Sequence, residues 1–76
     1  MLSVIAVRPE GSSWAVEAEQ TEKKLLFPSG AAAENAARAL ADGLAQLGKA
    51  AEIRIHLKDG RLGARFICPS QELQWV

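Results

Sequence analysis

The sequence is poor in the side chains that most often carry chemistry. It has one cysteine, Cys68, one histidine, His56, and no tyrosine. A lone thiol excludes an internal disulfide, and with it the stapled architecture of small secreted scaffolds. A single histidine without Cys-x-x-Cys spacing provides no ligand set for zinc. Formal net charge is zero, which argues against a generic polyanion binder. No apolar run approaches the roughly 20 residues that a bilayer crossing needs. The apolar start, Met1 to Val7, lacks a basic leader and ends at Arg8-Pro9, so it reads as a strand rather than a signal peptide. The cytoplasm is the expected location.

What remains is ordinary globular material, with 49% hydrophobic and 24% charged residues in 76 positions. One domain spanning residues 1–76 is expected, with a core over 3–68. A chain this short buries only roughly 60% of its unfolded surface. Self-association is therefore an expected source of additional stability.

Residues 3 to 8 are rich in Val and Ile and form a first strand that should stop at Pro9, which has no amide to donate. After the turn Glu10-Gly11-Ser12, residues Ser13 to Ala18 alternate. Trp14, Val16 and Ala18 occupy one face, and Ser13, Ala15 and Glu17 the other. A third strand is expected over Lys23 to Phe27, closing an antiparallel meander. Ser29 is positioned to cap a helix over residues 30 to 47. Ala33, Ala37, Leu40, Leu44 and Leu47 form its apolar stripe, Glu34 and Arg38 an i,i+4 pair, and Gly48 its left-handed stop.

Asp59-Gly60 marks a two-residue type I′ turn between two further strands. That register places Ile53 across from Phe66, Ile55 across from Ala64 and Leu57 across from Leu62 on one face. Arg54 lies across from Arg65, His56 across from Gly63 and Lys58 across from Arg61 on the other. The expected fold is α+β: a three-strand meander, one helix, then a two-strand hairpin in a small antiparallel sheet, with the helix on one face. The face away from the helix would show Arg54, His56, Arg65 and Ile67, with Ile5, Val7 or Leu26 as candidates to join them, which is more apolar than an ordinary solvent face. The segment 69–76, with Leu73, Trp75 and Val76, is expected to dock on its own sheet or on a partner, because an exposed terminal tryptophan is unfavourable in water.

Trp14-Ala15-Val16, Phe27 ahead of a helix carrying Ala33, Ala37, Leu40 and Ala41, and the hairpin stretch Ile53-Arg54-Ile55-His56-Leu57-Lys58-Asp59-Gly60-Arg61 resemble a small bacterial family, domain of unknown function 2188. The resemblance covers about residues 4 to 65. It implies a compact domain of one sheet and one helix, and it brings no activity. The chain departs from the family pattern at Glu19-Gln20, where a glycine is expected, and at Leu57, where a small residue is usual.

Charge is unevenly spread. Glu10, Glu17, Glu19 and Glu22 stand without a basic neighbour between them, whereas Lys49, Arg54, Lys58, Arg61 and Arg65 outnumber Glu52 and Asp59. Two uses of the basic hairpin follow. Arg54, His56, Lys58, Arg61 and Arg65 would make a positive ribbon able to contact nucleic acid or a protein partner; alternatively, they are solvated or paired with Glu17 and Glu19. A Cys68–His56 nucleophile pair fails on geometry, since the hairpin register puts the two on opposite faces. Glu17 and Glu19 read as a solvated strand edge rather than acid–base residues. Neither an enzyme nor a cofactor or metal site is expected. The expected role is a non-enzymatic interaction module that self-associates as a dimer through Leu73, Trp75 and Val76, with weak nucleic-acid binding as the alternative.

Overall fold

In the computed structural model, residues 2–19 and 24–70 are described. β1 (Ser3–Glu10), β2 (Ser13–Ala18) and β3 (Lys24–Phe27) precede α1 (Gly30–Gln46), and β4 (Ala51–His56) and β5 (Leu62–Cys68) follow it. All five strands form one sheet in the order β3-β2-β1-β4-β5. The meander and the hairpin are antiparallel as expected, but β1 and β4 join them in parallel, making the sheet mixed. α1 provides the long crossover that a parallel pair requires, passing from the β3 edge back across β2 and β1.

β1 runs two residues past Arg8 into Pro9 and Glu10, further than proline chemistry predicts. The Val4 carbonyl accepts from the Glu19 amide, so alternation turns the odd-numbered backbone groups of β1 toward β4. Pairing with β4 ends at Val7, so the missing amide of Pro9 takes nothing from the ladder. β1 and β2 are joined by Gly11 and Ser12. Gly11 is the only positive-φ residue of this loop, at 59°, which fits a type II′ turn.

The core lies between α1 and the sheet. Ile5, Val7, Val16 and Ile53 are its largest fully buried side chains, and Trp14 and Phe27 pack at its margin. Ile5 and Val7 thus face the helix, while Leu26 lies on the uncovered face with Ala15, its neighbour in β2. The Ser29 hydroxyl accepts from the Ala32 amide at 3.1 Å and caps α1. Gly48, at φ 80°, ends the helix in the left-handed region. At the other end, Gly30 lies against the Trp14 ring, and a Cβ there would come to 3.2 Å of it.

Two local expectations are corrected. The stripe that α1 buries is Ala33, Ala37, Ala41 and Ala45, while Leu40 and Leu47 are exposed. An i,i+4 row of alanines lets the helix axis approach the sheet closely, leaving the bulkier leucines at the flanks of the contact. The hairpin tip also differs. Only Gly60 has positive φ, at 88°; Gly60 N–H donates to the Leu57 carbonyl, and Leu57 N–H to the Arg61 carbonyl. The loop is therefore three residues long, Lys58-Asp59-Gly60, in the pattern of a turn followed by a left-handed glycine rather than type I′. His56 then pairs with Leu62, and a bulge at Gly63 restores the register so that Ile55 meets Ala64 and Ile53 meets Phe66. The longer loop and the extra strand residue compensate one another. The expected pairs below the bulge hold, and those of Leu57 with Leu62, His56 with Gly63 and Lys58 with Arg61 do not.

Candidate interaction surfaces

The pleat puts Val4, Ala6, Arg8 and Glu10 of β1 on the face away from α1, together with Ala15 and Glu17 of β2, Lys24 and Leu26 of β3, Glu52, Arg54 and His56 of β4, and Arg65 and Ile67 of β5. The centre of this face is tiled with ion pairs. Glu52 has a side chain only 4% exposed, and its carboxylate is held from two sides. Arg54 donates to Oε2 from Nε at 3.0 Å and approaches it with Nη2 at 2.9 Å, while Arg65 Nε lies 2.8 Å from Oε1. Arg8 lies 3.5 Å from Glu17, and Lys24 reaches Glu10 at 2.6 Å. The last pair spans the row that contains Ala15, which is fully buried despite facing away from the helix.

Arg54 and Arg65 thus engage Glu52 rather than Glu17 and Glu19, which the charge pattern had offered as partners. Glu17 takes Arg8 instead. Nor is β2 a sheet edge, since it lies between β3 and β1. Arg61 is paired with Asp59 at the hairpin tip, 2.6 Å away. The structure gathers Arg54, His56 and Arg65 on one face, with Lys58 and Arg61 at its tip, but the three arginines are already balanced by carboxylates. Ala6 is the short floor of a shallow concavity of about 360 Å³, walled by Arg8, Glu17, Arg54 and His56. Arg8 and Glu52 are the functional-face residues that sequence reasoning missed. The signal was present, because Glu52 and Arg54 are two apart in one strand and must share a face.

Cys68 packs against the core on the helix side, opposite His56, as the hairpin register predicts. Among the described residues no three His, Cys, Asp or Glu side chains converge. Leu73, Trp75 and Val76 lie outside the described residues.

A second surface lies at the C-terminal half of α1. Here Leu40, Gly43, Leu44 and Leu47 face Ile5 and Ala18 across an apolar groove of about 320 Å³, with Glu19 at its border. It exists because the alanine row seats α1 on the sheet while the leucines stand off at its side.

The profile of a bacterial family of uncharacterised proteins, domain of unknown function 2188, matches residues 5–66. The chain belongs to this family. The match extends from β1 into β5 and so includes part or all of every element that builds the two surfaces. No curated protein and no solved structure matches the chain. Membership in domain of unknown function 2188 assigns the chain no activity. Among the described residues no helix is long and apolar enough to cross a membrane.

Proposed function

We propose that this member of the family is a non-enzymatic interaction module that acts in the cytoplasm and associates with itself. The observation that carries the reading is where its leucines stand. Leu2, Leu25, Leu26, Leu40, Leu47, Leu57 and Leu62 are exposed and Leu44 is half-buried, so none of the described leucines belongs to the buried core. Leucine is among the residue types most often fully buried. Here the buried interior is closed by alanine, valine and isoleucine, and most of the leucines, with Phe66 and Ile67, point outward, as they would if a second surface were to cover them. Sedimentation equilibrium tests the reading: a dimer is expected at micromolar concentration, and a strict monomer up to about 0.5 mM removes it.

A second reading, weak nucleic-acid binding by the hairpin, draws on Arg61, whose side chain is 78% exposed, and on Lys58, which has no ion-pair partner among the described residues. The carboxylates of Glu52 and Asp59 count against it. Salt-sensitive binding that disappears when Arg54, Lys58, Arg61 and Arg65 are changed together to Ala would favour this reading. Unchanged binding by that variant would end it.

A further inference from the structure

We propose that the apolar groove beside α1 receives Leu47 of a second copy, in a two-fold arrangement that brings Lys49 of each chain to Glu19 of the other. This rests on the self-association reading and gives it a location.

A two-fold interface is self-complementary, so the same patch must carry both the projecting group and the recess it enters. This patch does. Leu47, at the C-cap of α1, is 74% exposed, the most exposed large apolar side chain among the described residues. It stands on the rim of a groove with room for a leucine side chain. Leu40, also exposed, continues the apolar ridge about two turns earlier.

Gly43 points the same way. It lies inside α1 and lines the groove, its φ is not positive, and open space surrounds the point where a Cβ would stand. Nothing among the described residues calls for glycine there, and glycine weakens a helix interior relative to alanine. A bare backbone on the groove wall lets an entering side chain sit deeper.

Charge selects a second copy as the occupant. Glu19 borders the groove at the end of β2, and Lys49 follows Leu47 by two residues at the end of α1. Neither has an ion-pair partner among the described residues. A copy that inserts its Leu47 beside Glu19 carries its Lys49 within a lysine's length of that carboxylate, and the two-fold repeats the pair. The dimer thus answers with one another two charges that have no ion-pair partner among the described residues.

Sedimentation equilibrium and thermal melts of the whole chain test this. Leu47→Glu is expected to weaken the dimer by about a hundredfold or more, because it drives an unpaired carboxylate into an apolar recess, with the far-UV spectrum unchanged. Glu19→Lys and Lys49→Glu alone are each expected to weaken it roughly threefold to tenfold, and the two together to restore it. A dimer of unaltered strength in Leu47→Glu overturns the groove as the interface while leaving self-association by another surface standing. Failure of the charge exchange to restore binding overturns the proposed pairing. A wild-type monomer removes the self-association reading as well. If that monomer is nevertheless destabilised by Leu47→Glu, another part of the same chain fills the groove.

Discussion

The two faces of the sheet keep water from their small central residues by different means. On the α1 side, Ile5, Val7, Val16 and Ile53 are sealed by a row of alanines, and no charged side chain among the described residues belongs to that cluster. On the other side, Ala15 is fully buried beneath a sheet face that carries ion pairs within and across strands, and Glu52 is covered where Arg54 and Arg65 close on it. Packing on the first face is set by volume and cannot be exchanged with solvent. Cover on the second is made of guanidinium and ammonium groups that remain about half exposed and compete with water for their carboxylates. The helix-covered face should therefore hold the folding energy, and the uncovered one should tolerate change.

The largest effect is expected from emptying the covered face. Ile53→Ala removes a fully buried side chain at the centre of the sheet, next to Ile5 and across from Phe66. A loss of about 2–5 kcal/mol in urea unfolding is expected. That is a large share of the roughly 4–11 kcal/mol that a chain of this length holds. A loss below about 1 kcal/mol would break the distinction between the faces.

Overfilling the same face comes next. Ala37 is fully buried in the row that seats α1, and Ala37→Leu must push helix and sheet apart. A cost of about 1–3 kcal/mol is expected from the shift in denaturation midpoint, with an unchanged m-value if the fold persists. An equal cost from Asn35→Leu, at an exposed position of the same helix, would show that close seating is not the reason for the alanines.

On the uncovered face, Glu52→Gln keeps the shape and removes the charge that Arg54 and Arg65 share. Because both arginines are about half exposed and can turn to water, a loss of only about 1–2 kcal/mol is expected. Salt sharpens the test: the gap between wild type and variant should narrow as ionic strength rises. A gap that stays constant up to about 1 M salt would mean that the cluster is held by packing rather than charge.

Much of this was legible from residue patterns, and the lapses are instructive. Alternation in Ser13 to Ala18 and in Ile53 to Phe66 placed Trp14, Val16, Ile53 and Ile55 toward the helix, because period two leaves no freedom once one member is buried. The helix ends followed from Ser29 and Gly48, which act through local backbone geometry. What local pattern did not contain was the parallel pairing of β1 with β4, since the two strands are some forty residues apart and nothing in either specifies its neighbour. The helix stripe was misassigned because Leu40 and Leu47 fit the same three-and-four spacing as Ala41 and Ala45, and hydrophobicity alone favours the larger residue. The hairpin tip was misread because Asp-Gly serves both a two-residue and a three-residue loop. Gly63, which accommodates the bulge, was the distinguishing residue: a Cβ there would stand 2.7 Å from the Leu57 side chain. The ion-pair mosaic was half legible. Arg54 across from Arg65 followed from the register, but the carboxylate between them required noticing that Glu52 shares their face.

The smallest effect sets the scale for the rest. Glu34 and Arg38 meet at 3.0 Å on the exposed side of α1, a turn apart and in the order that suits the helix dipole. Arg38 also lies over the Phe66 ring, 4.8 Å from its centre, so it links the helix to the edge strand β5. Glu34→Gln removes only the ion pair and is expected to lower stability by about 0.3–0.5 kcal/mol at low salt and by almost nothing at high salt. Arg38→Gln loses the stacking cation as well, adding about 0.5 kcal/mol that salt should leave largely in place. If the two substitutions prove equal at every ionic strength, the Phe66 contact contributes nothing, and β5 is held to the domain by its ladder with β4 and its packing alone.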